Sequence, residues 1–157
     1  MRLEYFQLID RIVDISFDAR RIRAEAIVPE TSTIFEGHFP GLPLMPGVLL
    51  LEAMAQTSGW LIIALSHFER MPFLVGFKQA KLRQFVNPGE KLSLEAEMLH
   101  EGSGFSITKA SIVIDNKPVC DAEITFRLMV FPNAEFRGQM NALAARIEFP
   151  MEAPGDG

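Results

Sequence analysis

Alternating apolar and polar residues predict β-strands on both sides of one long apolar run. Two strands come first, over residues 9–17 and 21–28. In the second strand Arg21, Arg23 and Glu25 alternate with apolar side chains, which is typical of a half-buried strand. The three residues between the strands predict a hairpin turn.

Four more strands are predicted after the apolar run, at residues 73–85, 91–100, 105–115 and 118–129. Three turn-forming sequences separate these four strands: Asn87-Pro88-Gly89, Gly102-Ser103-Gly104 and Asp115-Asn116-Lys117. Two strands, one apolar segment and four strands indicate an α+β fold. We expect an antiparallel sheet of about six strands wrapped around one long central helix.

The apolar run, residues 47–65, is long enough for that central helix and approaches the length of a membrane span. It contains Glu52 and Gln56, and no cluster of Lys or Arg flanks it. A carboxylate inside lipid is costly, whereas a helix enclosed by protein is also apolar on all sides. We therefore predict an enclosed helix and no membrane span.

The length of 157 residues, 48% of them hydrophobic, suits one core and one domain, which we assign to residues 1–131. Residues 132–157 form a C-terminal extension. Within it, apolar residues near helical spacing predict a short helix over residues 134–148, namely Phe136, Met140, Leu143, Ala144 and Ile147. The last eight residues predict a frayed tail.

The formal net charge is −5, from 15 Lys and Arg against 20 Asp and Glu. This charge provides no basic field for a nucleic-acid backbone, so nucleic acid is not an expected partner. The lone Cys120 cannot form an internal disulfide, and the first residues lack the apolar run of a signal peptide. Both observations favour a cytoplasmic location.

A segment rich in proline and glycine, residues 35–47, precedes the apolar helix. Its three prolines and three glycines cannot continue a helix or a central strand. Such a loop holds His38 in a fixed place relative to the helix, as a proton-transfer group requires. A rigid loop with a merely hydrogen-bonded histidine is the alternative.

The start of the helix offers hydrogen-bond donors. Pro46 suits the first turn, and the amides of Gly47 and Val48 have no acceptor within the helix. These amides carry partial positive charge, so they can stabilise a carbonyl oxygen as it becomes an enolate. Gly47 also permits close approach of a ligand.

Glu52 is the only charged residue in the apolar helix. Burial raises the pKa of a carboxyl group, which would let it act as a general acid near neutral pH. Gln56, four residues later, lies on the same face and can orient it. A purely structural glutamate is the alternative. A base, oxyanion donors and an acid in one stretch together suit β-elimination of water from a carbonyl compound.

The same residues resemble a known family. The motif GHFPGLPLMPGVLLLEAMAQ, residues 37–56, resembles the active-site signature of FabZ-type (3R)-hydroxyacyl-acyl-carrier-protein dehydratases, hotdog-fold enzymes of bacterial fatty-acid synthesis. The similarity continues through residues 81–90 and 117–122 and covers about residues 9–130. The resemblance implies a hydro-lyase that converts a hydroxyacyl thioester into the trans-2-enoyl thioester, in fatty-acid or lipid A acyl-chain synthesis.

The resemblance also implies residue roles. His38 matches the histidine that removes the α-proton, and Glu52 matches the glutamate that protonates the departing hydroxyl. Gly47, with Val48 beside it, matches the residue whose amide holds the thioester carbonyl. Phe39 and Gln56 are the neighbouring substrate-binding candidates. FabA, which also isomerises its product, has Asp and Cys at the positions of Glu52 and Val48, so dehydration without isomerisation is favoured.

The implied partners are a second copy of the chain and an acyl carrier protein with its phosphopantetheine-linked acyl group. In this family each site takes its histidine from one subunit and its glutamate from the other, and dimers often form trimers of dimers. We expect the Ile- and Val-rich strand at residues 105–115 to be the edge that a second subunit covers. Lys78, Lys81 and Arg83 form a local basic patch for an acidic carrier, although a solvated strand face would look the same.

Apolar residues near the motif are candidates for an acyl tunnel, although they suit a core equally well. They are Phe39, Leu44, Met54, Trp60, Ile63 and Phe85. No metal-ligand spacing is present, and no cofactor is predicted. A hotdog acyl thioesterase and a non-catalytic acyl-carrier binding subunit remain as alternative functions.

Overall fold

In the computed structural model, which describes residues 1–150, six strands and three α-helices follow a short 3₁₀ turn at Leu3–Tyr5. In chain order they are β1 (Arg11–Ser16), β2 (Arg21–Ile27), α1 (Thr33–Gly37), α2 (Gly47–Leu65), β3 (Arg70–Leu82), β4 (Lys91–Gly102), β5 (Phe105–Ile114), β6 (Lys117–Val130) and α3 (Ala134–Arg146). The predicted strands, long helix and C-terminal helix are present, with ends shifted by up to three residues. Residues 151–157 of the predicted tail lie outside the described residues.

The short helix α1 was not predicted, because its last residues overlap the segment rich in proline and glycine. Ser32 caps it, since the Ser32 hydroxyl accepts a hydrogen bond from the Ile34 amide at 3.2 Å. Its last residues, 35–37, are the first residues of the segment that we expected to be non-helical. That expectation is wrong for these three residues, since the first proline of the segment comes only at Pro40.

The strands form one antiparallel sheet in the order β1-β2-β4-β5-β6-β3. Consecutive hairpins connect β4, β5 and β6, and the turn between the last two has Asp115 and Asn116 in the left-handed region at φ 48° and 63°. Two adjacent residues with positive φ suit the tight turn of a hairpin, and Asp and Asn tolerate this conformation.

The prediction that residues 105–115 form an edge strand is wrong. The strand at residues 105–115, β5, lies between β4 and β6 and pairs on both sides. Its isoleucines reflect burial of one face against the core, where Ile112 and Ile114 lie. The edges are β1 and β3, and β3 exposes three consecutive apolar side chains, Phe73, Leu74 and Val75.

Helix α2 lies across the sheet and contacts β2 to β6. Although it is long and apolar enough to span a membrane, 67% of its most apolar stretch is buried inside the protein. The sheet therefore supplies the apolar surroundings that its sequence requires. The few polar groups on its buried side are satisfied locally: the Thr108 hydroxyl donates to Ser58 Oγ at 2.7 Å, and the Thr57 hydroxyl donates to the Ala53 carbonyl at 2.9 Å.

The segment after α3 attaches the C-terminal extension to the core. The Ile147 carbonyl accepts a hydrogen bond from the amide of Ile12 in edge strand β1 at 2.8 Å. The ring of Phe149 packs against Trp60 and Phe68, with centroid distances of 5.5 and 5.3 Å. Ile147 and Phe149 are both buried, so they fix the end of α3 over the side of the sheet that holds α2.

Candidate active site

His38 follows α1 directly, and hydrogen bonds hold both its amide and its ring. Its amide donates to the Ile34 carbonyl at 3.0 Å, and its ring Nδ1 lies 2.9 Å from the Leu44 carbonyl oxygen. Because a carbonyl oxygen only accepts, Nδ1 carries the proton in this bond. Nε2 of the neutral ring is then left with a lone pair, as a general base requires.

The loop between His38 and α2 is fastened at both ends. The Leu44 amide donates to the His38 carbonyl at 3.0 Å, and the Met45 amide donates to the Val86 carbonyl at 2.8 Å. His38 opens onto a cavity of about 640 Å³. This cavity, called the histidine cavity below, is lined by His38, Phe39, Leu44, Met45, Gly47, Leu50, Leu82, Arg83, Gln84 and Phe85.

The first amides of α2 lie at the histidine cavity. Pro46 is the N-cap, one position earlier than predicted, and its carbonyl accepts from Leu49 and Leu50 at 3.0 and 3.3 Å. Among residues 1–150, no acceptor contacts the amides of Gly47 and Val48. A Cβ at residue 47 would lie 2.5 Å from Cδ1 of Leu82, so a larger residue here would displace the tip of the Leu82 side chain. Gly47 lines the cavity, whereas the Val48 side chain is 71% exposed and lines neither cavity.

Glu52 lies on the second turn of α2 and opens onto a different cavity. Its side chain is half-buried at the wall of a space of about 310 Å³. Loss of hydration still raises the pKa of the Glu52 carboxyl, and a hydrogen bond from Gln56 opposes that rise. The raised pKa is the property that a general acid needs.

Gln56 connects Glu52 with the N-terminal segment. Its Nε2 donates to Glu52 Oε1 at 3.4 Å and to the Phe6 carbonyl at 2.9 Å. Its Oε1 accepts from the Leu8 amide at 3.1 Å. The amide therefore holds residues 6–8 beside the carboxyl, a role that spacing along the helix did not reveal.

One chain does not bring the histidine and the glutamate into one cavity. His38 and Gly47 line one, and Glu52 and Gln56 line the other, called the glutamate cavity below. The base and the oxyanion donor are together, and the acid lies apart from them.

Comparison with known proteins agrees with this set of residues. A family model described as a FabA-like domain matches residues 2–123. A curated relative from Protochlamydia amoebophila, named 3-hydroxyacyl-(acyl-carrier-protein) dehydratase FabZ, is 39% identical over 77% of this chain and 79% of its own. A relative of the same name from Ligilactobacillus salivarius is 37% identical over 77% of this chain and 86% of its own. The chain belongs to the FabA/FabZ family. The resemblance seen in residues 37–56 is thus confirmed.

Solved structures show the same fold as this FabA/FabZ family member. A conserved protein of Pseudomonas aeruginosa superposes with a TM-score of 0.63 at 19% identity, over 80% of this chain and 91% of its own. A dehydratase heterocomplex of Xenorhabdus doucetiae gives 0.59 at 18% identity, over 87% and 90%. At these identities the likeness concerns the fold, and it confirms the predicted hotdog arrangement.

The predicted acyl-tunnel residues of this family member are divided between the cavities. Phe39, Leu44 and Phe85 line the histidine cavity, and Trp60 and Ile63 line the glutamate cavity. Met54 is fully buried in the core and lines neither of them. The glutamate cavity also has two walls that were not predicted, the N-terminal residues 5–7 and helix α3. The helical spacing of Met140 and Leu143 was the available signal for the second wall.

The predicted basic patch is partly neutralised. Arg83 binds Asp121 through Nε at 2.9 Å and a terminal nitrogen at 2.5 Å. Lys78 and Lys81 are exposed on edge strand β3, and neither forms an ion pair with any residue that the structure describes. Within the same residues, no group of three His, Cys, Asp or Glu side chains is arranged to hold a metal ion.

The raised pKa of Glu52 predicts a pH-dependent stability difference. At neutral pH the unfolded chain carries an ionised Glu52 at no cost, while the folded chain either ionises it in a poorly hydrated place or keeps it protonated above its ordinary pKa. The contribution of the Glu52 carboxyl to the free energy of unfolding is therefore fully present below about pH 4 and is lost as the pH rises through the raised pKa. We expect Glu52→Gln to unfold at a higher temperature than wild type at neutral pH and at the same temperature in acid. Thermal unfolding across pH measures this difference.

The control for that measurement is Glu97→Gln, which changes an exposed carboxyl on β4. This variant should follow the wild-type curve at every pH. A Glu52→Gln variant less stable than wild type at neutral pH would contradict the expected sign.

Proposed function

We propose that this protein is a 3-hydroxyacyl-acyl-carrier-protein dehydratase, which removes water from a (3R)-3-hydroxyacyl thioester and gives the trans-2-enoyl thioester. The observation that carries the proposal is the pairing in one cavity of His38, with a free Nε2, and the unoccupied donor amide of Gly47. A base next to an oxyanion donor suits removal of a proton α to a carbonyl.

The reaction follows from the chemistry of three groups. Nε2 of His38 accepts the α-proton, and the Gly47 amide stabilises the negative charge that forms on the thioester oxygen. The carboxyl of Glu52 gives its proton to the β-hydroxyl, which leaves as water while the double bond forms between the α- and β-carbons. The proton on His38 then returns the carboxylate to its acid form through solvent, so no cofactor is consumed.

The separation of base and acid supports a homodimer. No carboxyl side chain of the described residues lines the histidine cavity, and this absence supports a site that takes Glu52 from a partner subunit. Apolar side chains on edge strand β3 and next to the histidine cavity are exposed in the single chain, among them Val75 at 58% and Phe85 at 80%. A second copy placed against this edge would cover them and pair the open strand. The family resemblance further implies that such dimers assemble into trimers of dimers.

An acyl carrier protein is the proposed bearer of the substrate in the cytoplasm. Lys78 and Lys81 on β3 offer two exposed cations near the chain segment that leads to Arg83 and the histidine cavity. An acidic carrier and the phosphate of its phosphopantetheine arm would find complementary charge there, although the protein has a net charge of −5.

Two other functions make different predictions. A hotdog acyl thioesterase hydrolyses the thioester, and a hypothetical thioesterase of Streptococcus pneumoniae shares the fold at a TM-score of 0.57 and 14% identity, which concerns the fold alone. A non-catalytic carrier-binding subunit lacks the acid or the base, whereas this chain has both His38 and Glu52.

The product formed from a 3-hydroxybutyryl carrier-protein thioester tests the proposal. A dehydratase forms the conjugated enoyl thioester, seen by its ultraviolet absorbance, and releases no free thiol. The carrier thioester should also give a lower KM than the coenzyme A thioester of the same acyl group. Release of free thiol without enoyl product would identify a thioesterase, and no turnover would favour the binding subunit.

A further inference from the structure

Helix α3 forms a wall of the glutamate cavity. Three of its lining side chains, Met140, Leu143 and Arg146, come from α3, and Ile147 follows directly. The family model ends at residue 123, so this wall belongs to the part of the chain beyond the matched domain. The opposite walls are Trp60 and other residues of α2, the N-terminal segment and the start of β3.

The burial pattern of α3 differs from that of a core helix. Within α3 only Ala144 is fully buried, and most of its other residues are exposed. Its position depends on the residues after it, since Ile147 bonds to β1 and Phe149 packs on Trp60. Met140 and Leu143 are half-buried: they pack against the edge of the core and also line the glutamate cavity. Helix α3 therefore serves mainly as a wall of the glutamate cavity and contributes little to the core.

The proposed reaction places the acyl chain next to this wall. The carbonyl and α-carbon lie at Gly47 and His38 of one subunit, and the β-hydroxyl faces Glu52 of the partner subunit. The rest of the acyl chain starts at the β-carbon, so it continues beyond the carboxyl. The apolar space beside Glu52 is the glutamate cavity, and its volume of about 310 Å³ lies at the lower end of the range for ligand pockets.

We propose that α3 sets the acyl-chain length that this enzyme accepts, with Leu143 and Met140 as specificity-determining side chains against the distal part of the chain. The proposal rests on the proposed dehydratase function. The substrates it names are 3-hydroxyacyl thioesters with unbranched apolar chains that extend well past the β-carbon. Methionine suits such a wall, because its flexible side chain adapts to the end of an alkyl chain.

Two substitutions of Leu143 test this wall in opposite directions. Leu143→Trp fills space and Leu143→Ala creates it, and kcat/KM is measured with 3-hydroxybutyryl and 3-hydroxytetradecanoyl carrier-protein thioesters. Each methylene excluded from an apolar site costs a factor of about four in binding. We expect Leu143→Trp to lower the long-to-short ratio of kcat/KM by about tenfold, and Leu143→Ala to raise it.

The matched control is Gln139→Ala, an exposed position of α3 that does not line the cavity, which should keep the wild-type ratio. If Leu143→Trp does not fold, as judged by thermal unfolding, Met140→Phe replaces it with the same expected direction. Ratios equal to wild type in the folded variants would overturn the role of α3. Failure of wild type to dehydrate either thioester would instead overturn the proposed function, since that outcome does not depend on the α3 wall.

Discussion

Replacing His38 by alanine is expected to lower kcat for dehydration by on the order of 10³-fold, because removal of a positioned general base costs about this much. The remaining groups, the Gly47 amide and Glu52, still bind and polarise the thioester but cannot take the α-proton. His38→Asn is the sharper variant, since its side-chain NH₂ can still donate to the Leu44 carbonyl but offers no basic nitrogen. Steady-state formation of the enoyl thioester measures both.

The two histidine variants separate chemistry from folding. His38→Ala leaves the Leu44 carbonyl without its donor, which costs about 1 kcal/mol of stability, whereas His38→Asn keeps most of it. His100→Ala changes an exposed histidine on β4 and should retain full activity. Activity near wild type in His38→Asn, with the fold intact, would remove this residue from the reaction.

Replacing Glu52 by glutamine is the second change with a large expected effect. The amide keeps the shape of the side chain and can still accept the hydrogen bond from Gln56, but it has no proton to give to the β-hydroxyl. We expect a loss of kcat of about 10²-fold or more, measured as for His38. Since the same variant should be more stable than wild type at neutral pH, the loss of activity is not a loss of fold.

Mixing the two inactive variants tests where each residue acts. A dimer of one His38→Ala chain and one Glu52→Gln chain has one site with both changes and one site with neither. Random pairing would restore about a quarter of the wild-type sites. Native mass spectrometry confirms that subunits have exchanged. No recovery of activity in a sample with mixed dimers would contradict a site shared between subunits.

Much of the fold follows from short stretches of sequence. The alternation in β2, the tight turn at Asp115-Asn116 and the mostly apolar run of nineteen residues in α2 each determine a local conformation, and the structure has all three. The prolines around His38 likewise determine a loop, and the hydrogen bond between its ring and the Leu44 carbonyl lies within that loop. Such features depend on neighbours in the chain, which the sequence displays directly.

Other features depend on contacts between distant residues. Ile and Val in β5 indicated a strand but not its neighbours, so the expected edge was assigned to β5 when it belongs to β3. The N-terminal segment and α3, which are far from Glu52 in the sequence, line the same cavity as its side chain. Gln56 was predicted to serve the carboxyl, but its shorter bonds are to residues 6 and 8.

The residue types for acid–base chemistry, the order of strands and helix along the chain, and the family were determined by the sequence alone, because each is written in local spacing. The tertiary structure decided that the imidazole and the carboxyl face different cavities, and that a helix beyond the family domain closes one of them. These outcomes depend on how a sheet curls around a helix and which surfaces then meet, and residue spacing does not encode that geometry.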